Sequence, residues 1–271
     1  MHSHIAFIGG GNMASAILQG LLQQGYARER ISVVEPFADT RALLAQRFGV
    51  QAEPAAGEFL RAADLVVWAV KPQTFQEAAS QVQGFTPAAL HLSVAAGIPS
   101  RSIARWLGSE RIVRAIPNTP ALIGRGITAF FARDGVQQVD RQQVEQVMHS
   151  TGETLWVETE TQLDAVTAVS GSGPAYVFYF MEAMMAAGTD MGLSPAQARQ
   201  LTLATFAGAS ELARASEDPP DVLRQRVTSK GGTTFAAITA MDAAGMRASF
   251  QRALKAACDR ARTLGDEFGA G

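Results

Sequence analysis

Short apolar runs alternate with segments of helical periodicity from the start of the chain to about Glu158. Short apolar runs are typical of buried strands, and apolar residues three or four positions apart are typical of amphipathic helices. The predicted strands are 5–8, 31–34, 65–70, 90–95, 111–116, 128–132 and 154–157. The predicted helices between them are 14–24, 41–48, 74–82 and 100–107. This alternation predicts an α/β domain with a mostly parallel sheet covered by helices on both faces.

The pattern changes after Glu158, where the strand-like runs stop and long segments rich in Ala, Met, Gln and Arg begin. Proline stands at or near the start of several of these segments, where its missing N–H has no cost to a helix. The predicted helices are 161–169, 174–191, 195–214, 220–227, 234–244 and 246–268. We therefore expect an α/β domain over residues 1–158 and an all-helical domain over residues 159–271.

Composition excludes several classes of protein. The chain has 271 residues, 47% of them hydrophobic and 18% charged, which is typical of a globular protein of one or two domains. A net charge of −2 makes nucleic acid an unexpected partner, and no apolar run reaches the roughly 18 residues of a membrane span. Cys258 is the single cysteine, so we expect a cytoplasmic protein without disulfides, and no cluster has the spacing of metal ligands.

A glycine pattern lies between the first predicted strand and the first predicted helix. Gly9, Gly11 and Ala14 form G-x-G-x-x-A, with Asn12 and Met13 at the start of the helix. Glycines at these positions allow a tight turn and a close approach of the backbone to a pyrophosphate, which also meets the helix N-terminus. A purely structural turn is the alternative. The context favours a dinucleotide site, so the first domain is predicted to be Rossmann-like.

The ends of the next strands also predict cofactor contacts. Glu35 ends the second strand about 20 residues after the glycine pattern, where a carboxylate commonly accepts from the ribose diol. In that role it would repel a 2′-phosphate and favour NADH over NADPH. The alternative is that Glu35 caps the loop before Pro36.

Two further strand ends should line the cofactor crevice, because ligands of open α/β sheets bind outside the carboxyl ends of the strands. The third strand ends at Ala69, Val70, Lys71 and Pro72, and the fourth ends in small residues that include Ala95. Lys71 on a solvated loop is the alternative to a cofactor contact.

The motifs together resemble pyrroline-5-carboxylate reductases over nearly the whole chain. The matching segments are 7–13, 69–72, RAIPNTP at 114–120, SGSGPAY at 170–176 and LRQRVTSKGGTT at 223–234. The resemblance implies reduction of the C=N bond of 1-pyrroline-5-carboxylate by NADPH or NADH, the final step of proline synthesis. It further implies that Asn118 contacts the cofactor and that the helical domain interlocks with a second subunit, often in rings of dimers.

The resemblance also suggests that the carboxylate of the substrate sits in the turn from Ser229 to Thr234. Gly231 and Gly232 free the backbone before a helix, so the N–H groups of Gly232 and Thr233 can face an anion. The hydroxyls of Ser229 and Thr234 can donate as well. A purely structural helix N-cap is the alternative.

Two further residues, Lys230 and Glu217, have alternative roles. Lys230 stands where many family members have proline, which could loosen the loop or draw the anionic substrate towards it. Glu217 stands where the family has an acidic residue near the pocket, and a solvated loop carboxylate is the alternative.

The chemistry needs little from acid–base side chains, since a cyclic imine can enter already protonated and an iminium accepts hydride directly. All four histidines precede the helical domain, which therefore cannot contribute a His base. We predict that Thr234 hydrogen-bonds the imine nitrogen. Two alternative functions remain, a 3-hydroxyacid dehydrogenase and a non-catalytic NAD(P)H sensor. The 3-hydroxyacid dehydrogenases resemble this chain at 171–173, but they have a catalytic lysine a few residues later, and 174–181 contains no lysine.

Overall fold

The computed structural model describes residues 3–269. Eight strands form one sheet in the order β3-β2-β1-β4-β5-β6-β7-β8. All neighbouring strands are parallel except β6 and β7, which are antiparallel. The strands are β1 Ile5–Ile8, β2 Ile31–Val34, β3 Ala52–Glu53, β4 Leu65–Trp68, β5 Leu90–Ser93, β6 Ile112–Ile116, β7 Gly126–Ala132 and β8 Gly152–Trp156. The predicted mostly parallel sheet is therefore confirmed.

Helices cover both faces of this sheet. They are α1 Asn12–Gln23, α2 Ala38–Phe48, α3 Pro72–Val82, α4 Ser100–Leu107 and α5 Gln138–His149. Ile5 and Phe7 of β1 point to the side covered by α1, α2 and α5, whereas Ala6 and Ile8 point to the side covered by α3 and α4. Because β1 is buried on both sides, it has no polar residue at all.

Two elements of this domain were absent from the sequence prediction. The two-residue strand β3 is too short to give a periodic signal. Helix α5 lies in a segment rich in Gln, and only a narrow stripe of Val144, Val147 and Met148 with Asp140 is buried. Such a polar helix has a weak apolar pattern, so sequence reasoning overlooked it.

The remaining helices follow β8. Helix α6 Gln162–Val166 runs into one π-helical turn, Thr167–Gly171, and is followed by α7 Gly173–Asp190, α8 Pro195–Ala215, α9 Pro220–Arg226, α10 Thr233–Ala243 and α11 Met246–Gly269. The predicted all-helical character of this part is confirmed. None of the helices in residues 3–269 is long and apolar enough to cross a membrane.

The chain divides into two compact units at a later point than the change in sequence texture at Glu158. One unit runs to Ser172 and resumes at Ala257, and the other is Gly173–Ala256. The first helix after the change, α6, stays with the sheet because Leu163 packs against Ile116 and Ala129. The end of α11 does the same, since Phe268 packs into the core beneath α3 and α4.

The helical unit Gly173–Ala256 buries few of its apolar side chains. Gly188 is the buried residue of α7, and no residue of α10 is buried. A small cluster of rings from Tyr176, Phe180 and Phe250 ties α7 to α11. Many other large apolar side chains of this unit are exposed. Exposed apolar side chains in such number are typical of a surface that binds another protein.

A buried histidine lies within the sheet. His91 of β5 is 1% exposed, and its Nδ1 accepts a hydrogen bond from Nε1 of Trp68 on β4 at 3.2 Å. Burial, assisted by the charge of Arg111, lowers the pKa of His91 to about 4. The unfolded chain therefore binds a proton at this side chain below pH 6.5, while the folded chain stays unprotonated down to about pH 4.

This difference predicts a pH dependence of stability. The free energy of unfolding should fall as the pH falls from 6.5 towards 4, with His91 contributing a loss of about 2 kcal/mol by pH 5. His91→Asn keeps an acceptor for Trp68 and cannot titrate, so it should lack this part of the loss. Urea unfolding of both proteins at pH 7 and pH 5 measures it. An equal change in both proteins would contradict the assignment.

Candidate functional site

The glycine turn after β1 is locked against the neighbouring strand. Gly9 has φ +94°, and a Cβ there would lie 2.7 Å from the carbonyl oxygen of Ala69. Its N–H donates to the carbonyl oxygen of Val34 at 2.9 Å. Glycine is therefore required at this position for both its left-handed backbone and its missing side chain.

The next part of the turn is open. A Cβ at Gly11 would meet no atom within 4 Å, and Gly11 and Asn12 are exposed. Asn12 and Met13 are the first two residues of α1, and their N–H groups have no acceptor among residues 3–269. Open space in front of free helix N-terminal amides fits a pyrophosphate, so the residues present suit a dinucleotide cofactor.

Glu35 lies immediately beside this turn and is 5% exposed. Its Oε2 accepts from the N–H of Gly10 at 2.8 Å, and its Oε1 accepts from the N–H of Phe37 at 2.9 Å. The carboxylate thus ties the glycine turn to the loop that follows β2. This is the loop-capping geometry that the sequence left open as the alternative to a ribose contact.

The other predicted cofactor residues gather at the same edge of the sheet. Ala69 donates its N–H to the carbonyl oxygen of Ile8 at 2.8 Å, and Lys71 is exposed at the start of α3, where it forms no ion pair within the described residues. The Oδ1 of Asn118 accepts from the N–H of Ile127 at 3.0 Å. Val70, Pro72 and Ala95 follow the same strand ends. The parallel strands therefore bring the whole predicted set to one edge.

An ion pair near this edge was missed by sequence reasoning. Nη1 of Arg114 on β6 lies 2.7 Å from Oε1 of Glu160, whose carboxylate also accepts from the N–H and Oγ of Ser100. Burial alone would raise the pKa of Glu160, but the charge of Arg114 and the bonds from Ser100 outweigh it and hold the pKa below its usual range. The available signal was an arginine inside an apolar strand.

The predicted substrate turn lies in the helical unit. Gly231 has φ +78°, and the N–H of Gly232 donates to the carbonyl oxygen of Ser229 at 3.0 Å. This amide closes the turn, and the expectation that it faces an anion stays a prediction. The amides of Thr233 and Thr234, at the start of α10, have no acceptor within residues 3–269.

Two hydroxyl groups flank these amides. Neither Oγ of Ser229 nor Oγ1 of Thr234 forms a hydrogen bond among the residues that the structure describes, and Thr234 is half-buried. A turn with two free amides and two free hydroxyls can bind a small anion.

In the part of the chain that the structure describes, Glu217 and Lys230 form no hydrogen bond with these donors. Glu217 is exposed in the loop between α8 and α9, and within residues 3–269 it forms no hydrogen bond or ion pair with the turn. Its neighbour Asp218 instead pairs with Arg226 at 2.5 Å, which fixes the loop to α9. Lys230 is exposed and has no acidic partner in the described part of the chain.

A glycine turn between the first strand and helix of a parallel sheet, followed by a helical unit, defines an NAD(P)-dependent oxidoreductase of the Rossmann type. Residues 4–97 match the family model described as "NADP oxidoreductase coenzyme F420-dependent". Residues 160–264 match the model "Pyrroline-5-carboxylate reductase dimerisation".

Comparison with individual proteins narrows this class. The chain is 43% identical to a pyrroline-5-carboxylate reductase of Pseudomonas aeruginosa, over 98% of both chains. The solved structure of a pyrroline-5-carboxylate reductase from Coxiella burnetii is 38% identical, has a TM-score of 0.90 and covers 97% of this chain and 98% of its own. A Plasmodium falciparum pyrroline carboxylate reductase solved with NADP bound is 27% identical, with a TM-score of 0.87 and coverage of 97% and 98%. The chain belongs to the pyrroline-5-carboxylate reductase family.

The open space at Gly11 gives a direct test of the nucleotide site. Gly11→Ala adds a methyl group that meets no protein atom, so the thermal midpoint should not fall, whereas the affinity for NADPH should drop at least about tenfold. Gly84→Ala is the matched control, since a Cβ there also meets nothing within 4 Å and lies outside the turn. Fluorescence titration with NADPH measures both variants. Unchanged affinity in Gly11→Ala would contradict the site.

Proposed function

We propose that this chain reduces the C=N bond of 1-pyrroline-5-carboxylate to give L-proline, with NADPH or NADH as the hydride donor. The observation that carries the proposal is the turn from Ser229 to Thr234, whose free amides and hydroxyls suit the carboxylate of this substrate. The glycine turn after β1 supplies the other requirement, a place for the cofactor. Family membership supports the same reaction.

The chemistry asks the protein mainly to bind and orient. The nicotinamide, when bound, supplies a hydride to the imine carbon. The amides of Thr233 and Thr234 hold the substrate carboxylate at the start of α10, where the helix dipole favours an anion. Oγ1 of Thr234 accepts a hydrogen bond from the protonated imine nitrogen and so fixes the orientation of the ring.

No side chain has to complete a proton transfer in this scheme. The iminium already carries its proton, so hydride addition alone turns it into the secondary amine of proline. The absence of histidine after His149 is therefore compatible with the reaction. A hydroxyacid dehydrogenase would need a lysine on α7, and 174–181 contains none.

A sensor that binds NAD(P)H without turnover is the remaining alternative. A sensor of that kind would gain nothing from a second site with four free donors in the helical unit. The turn from Ser229 to Thr234 keeps all of them available, which favours an enzyme over a sensor. The single cysteine is compatible with a reducing compartment, and we place the reaction in the cytoplasm.

Self-association follows from the dimerisation domain, and we propose a dimer as its basic unit, with rings of dimers as the larger assembly. Helix α7 supports this proposal because its apolar side chains are not buried within the chain. Phe178 is 56% exposed and Tyr179 is 69% exposed. Large apolar side chains on one helix need a second surface to exclude water.

Cofactor oxidation tests the proposed reaction. The purified protein is mixed with 1-pyrroline-5-carboxylate and either NADPH or NADH, and loss of the reduced nicotinamide is compared with the amount of proline formed. One proline per oxidised cofactor is the expected result. Cofactor binding without proline formation would support the sensor instead.

The role of Thr234 predicts a specific loss. Thr234→Val keeps the shape and the β-branch but removes the hydroxyl, so kcat/KM for the imine should fall about tenfold while the affinity for NADPH stays unchanged. Thr234→Ser restores a hydroxyl and should recover most of the activity. Steady-state kinetics of the two variants measure the effect. Full activity in Thr234→Val would refute the assignment.

The exposed face of α7 predicts a change in oligomeric state. Phe178→Glu places a charge on this face and should shift the protein to a smaller species. Leu43→Glu is the control, because Leu43 is an equally exposed apolar residue on α2, outside the helical unit. Light scattering after size-exclusion chromatography measures both masses. A Phe178→Glu protein of wild-type mass would contradict the proposed interface.

A further inference from the structure

The carboxylate of Glu35 is already engaged by the backbone. Each of its two oxygens accepts a hydrogen bond from a backbone N–H group, that of Gly10 at 2.8 Å and that of Phe37 at 2.9 Å. The residue is only 5% exposed. Two amide dipoles offset its charge, so it repels a nearby anion less than a free carboxylate would. Reading the ribose hydroxyls would require it to share or give up these bonds.

A guanidinium group lies at the same strand end. Nη1 of Arg41 on α2 donates to the backbone carbonyl oxygens of Glu35 at 3.0 Å and of Pro36 at 2.7 Å. These bonds hold the group beside the loop after β2, and they use only one of its three nitrogens. Arg41 forms no ion pair with any carboxylate in residues 3–269.

We propose that Arg41 binds the 2′-phosphate of NADPH and sets a preference for NADPH over NADH, and that Glu35 is a positioning residue for the glycine turn. The proposal rests on the cofactor assignment of the proposed function. It replaces the expectation that Glu35 reads the ribose and favours NADH.

The location of Arg41 and Glu35 supports these two different roles. The loop after β2 is where Rossmann domains meet the adenosine ribose, with a carboxylate for the 2′-hydroxyl or an arginine for a 2′-phosphate. Here both residue types are present, but the carboxylate is turned inward and the guanidinium keeps unused N–H donors. Arginine pairs well with phosphate because its planar group presents parallel donors.

Binding of adenosine fragments isolates this contact from catalysis. The full-length protein is titrated calorimetrically with 2′,5′-ADP, which carries the 2′-phosphate, and with 5′-ADP, which lacks it. Four proteins are compared: wild type, Arg41→Ala, Glu35→Ala and the control Arg47→Ala. Arg47 lies at the other end of α2, where its guanidinium stacks over the ring of Phe48. Arg47→Ala and Arg41→Ala each remove one positive charge, so the two variants have the same net charge.

The wild type should bind 2′,5′-ADP at least about tenfold more tightly than 5′-ADP, and added salt should reduce this difference. Arg41→Ala should abolish the difference with little effect on 5′-ADP, whereas Arg47→Ala should leave it intact. Glu35→Ala should weaken both ligands by a similar factor, because it loosens the glycine turn that both share.

Two results would overturn the proposal. One is a wild type without preference for the 2′-phosphate, and the other is an Arg41→Ala protein that keeps the preference. If the wild type instead binds 5′-ADP more tightly than 2′,5′-ADP, and Glu35→Ala loses that preference, the ribose role of Glu35 is restored. None of these outcomes affects imine reduction, so failure of the proposed function is recognised separately, as absence of proline formation with either cofactor.

Discussion

The close approach of Gly9 to the carbonyl oxygen of Ala69 is the constraint on which the nucleotide site depends. The two strand ends meet at a distance that leaves no room for a Cβ, and the backbone of Gly9 turns through a left-handed conformation to reach α1. This turn leaves Gly11 facing open space and leaves the first amides of α1 free. Glu35 then fixes the other side of the turn by holding the amide of Gly10. The close packing and the left-handed backbone at Gly9 therefore create the space and the free amides that a cofactor needs.

The sequence predicted those elements whose pattern is local and strong. Strands β1 and β2 and helix α4 begin and end at the predicted residues, because each is a dense apolar or amphipathic segment with clear flanking signals. Strand β3 and helix α5 were missed, since one is too short and the other too polar to give a pattern. The unit boundary differs because α6 is helical in sequence yet packs on the sheet through Leu163. Periodicity identifies the type of an element but not the surface on which it packs.

The same limit applies to the candidate site. Residue types at strand ends identified which segments meet, because the geometry of a parallel sheet brings its carboxyl ends together. The partner of each polar group depends on atomic positions, which the sequence does not encode locally. The amide of Gly232 closes a turn, and the carboxylate of Glu35 accepts from two amides. Arg114 pairs with Glu160, which lies 46 residues further along the chain. Arg41 gave no sequence signal because a single arginine on an amphipathic helix is ordinary.

In the proposed reaction this chain binds a nicotinamide and a cyclic imine, and a hydride passes from the nicotinamide to the imine carbon. Transfer of deuterium from a cofactor labelled at the reactive carbon of the nicotinamide tests it most directly. We expect one deuterium per molecule of proline, at the carbon that was the imine carbon, for each cofactor oxidised. Cofactor oxidation that leaves proline unlabelled would contradict direct hydride transfer, and so would the absence of proline.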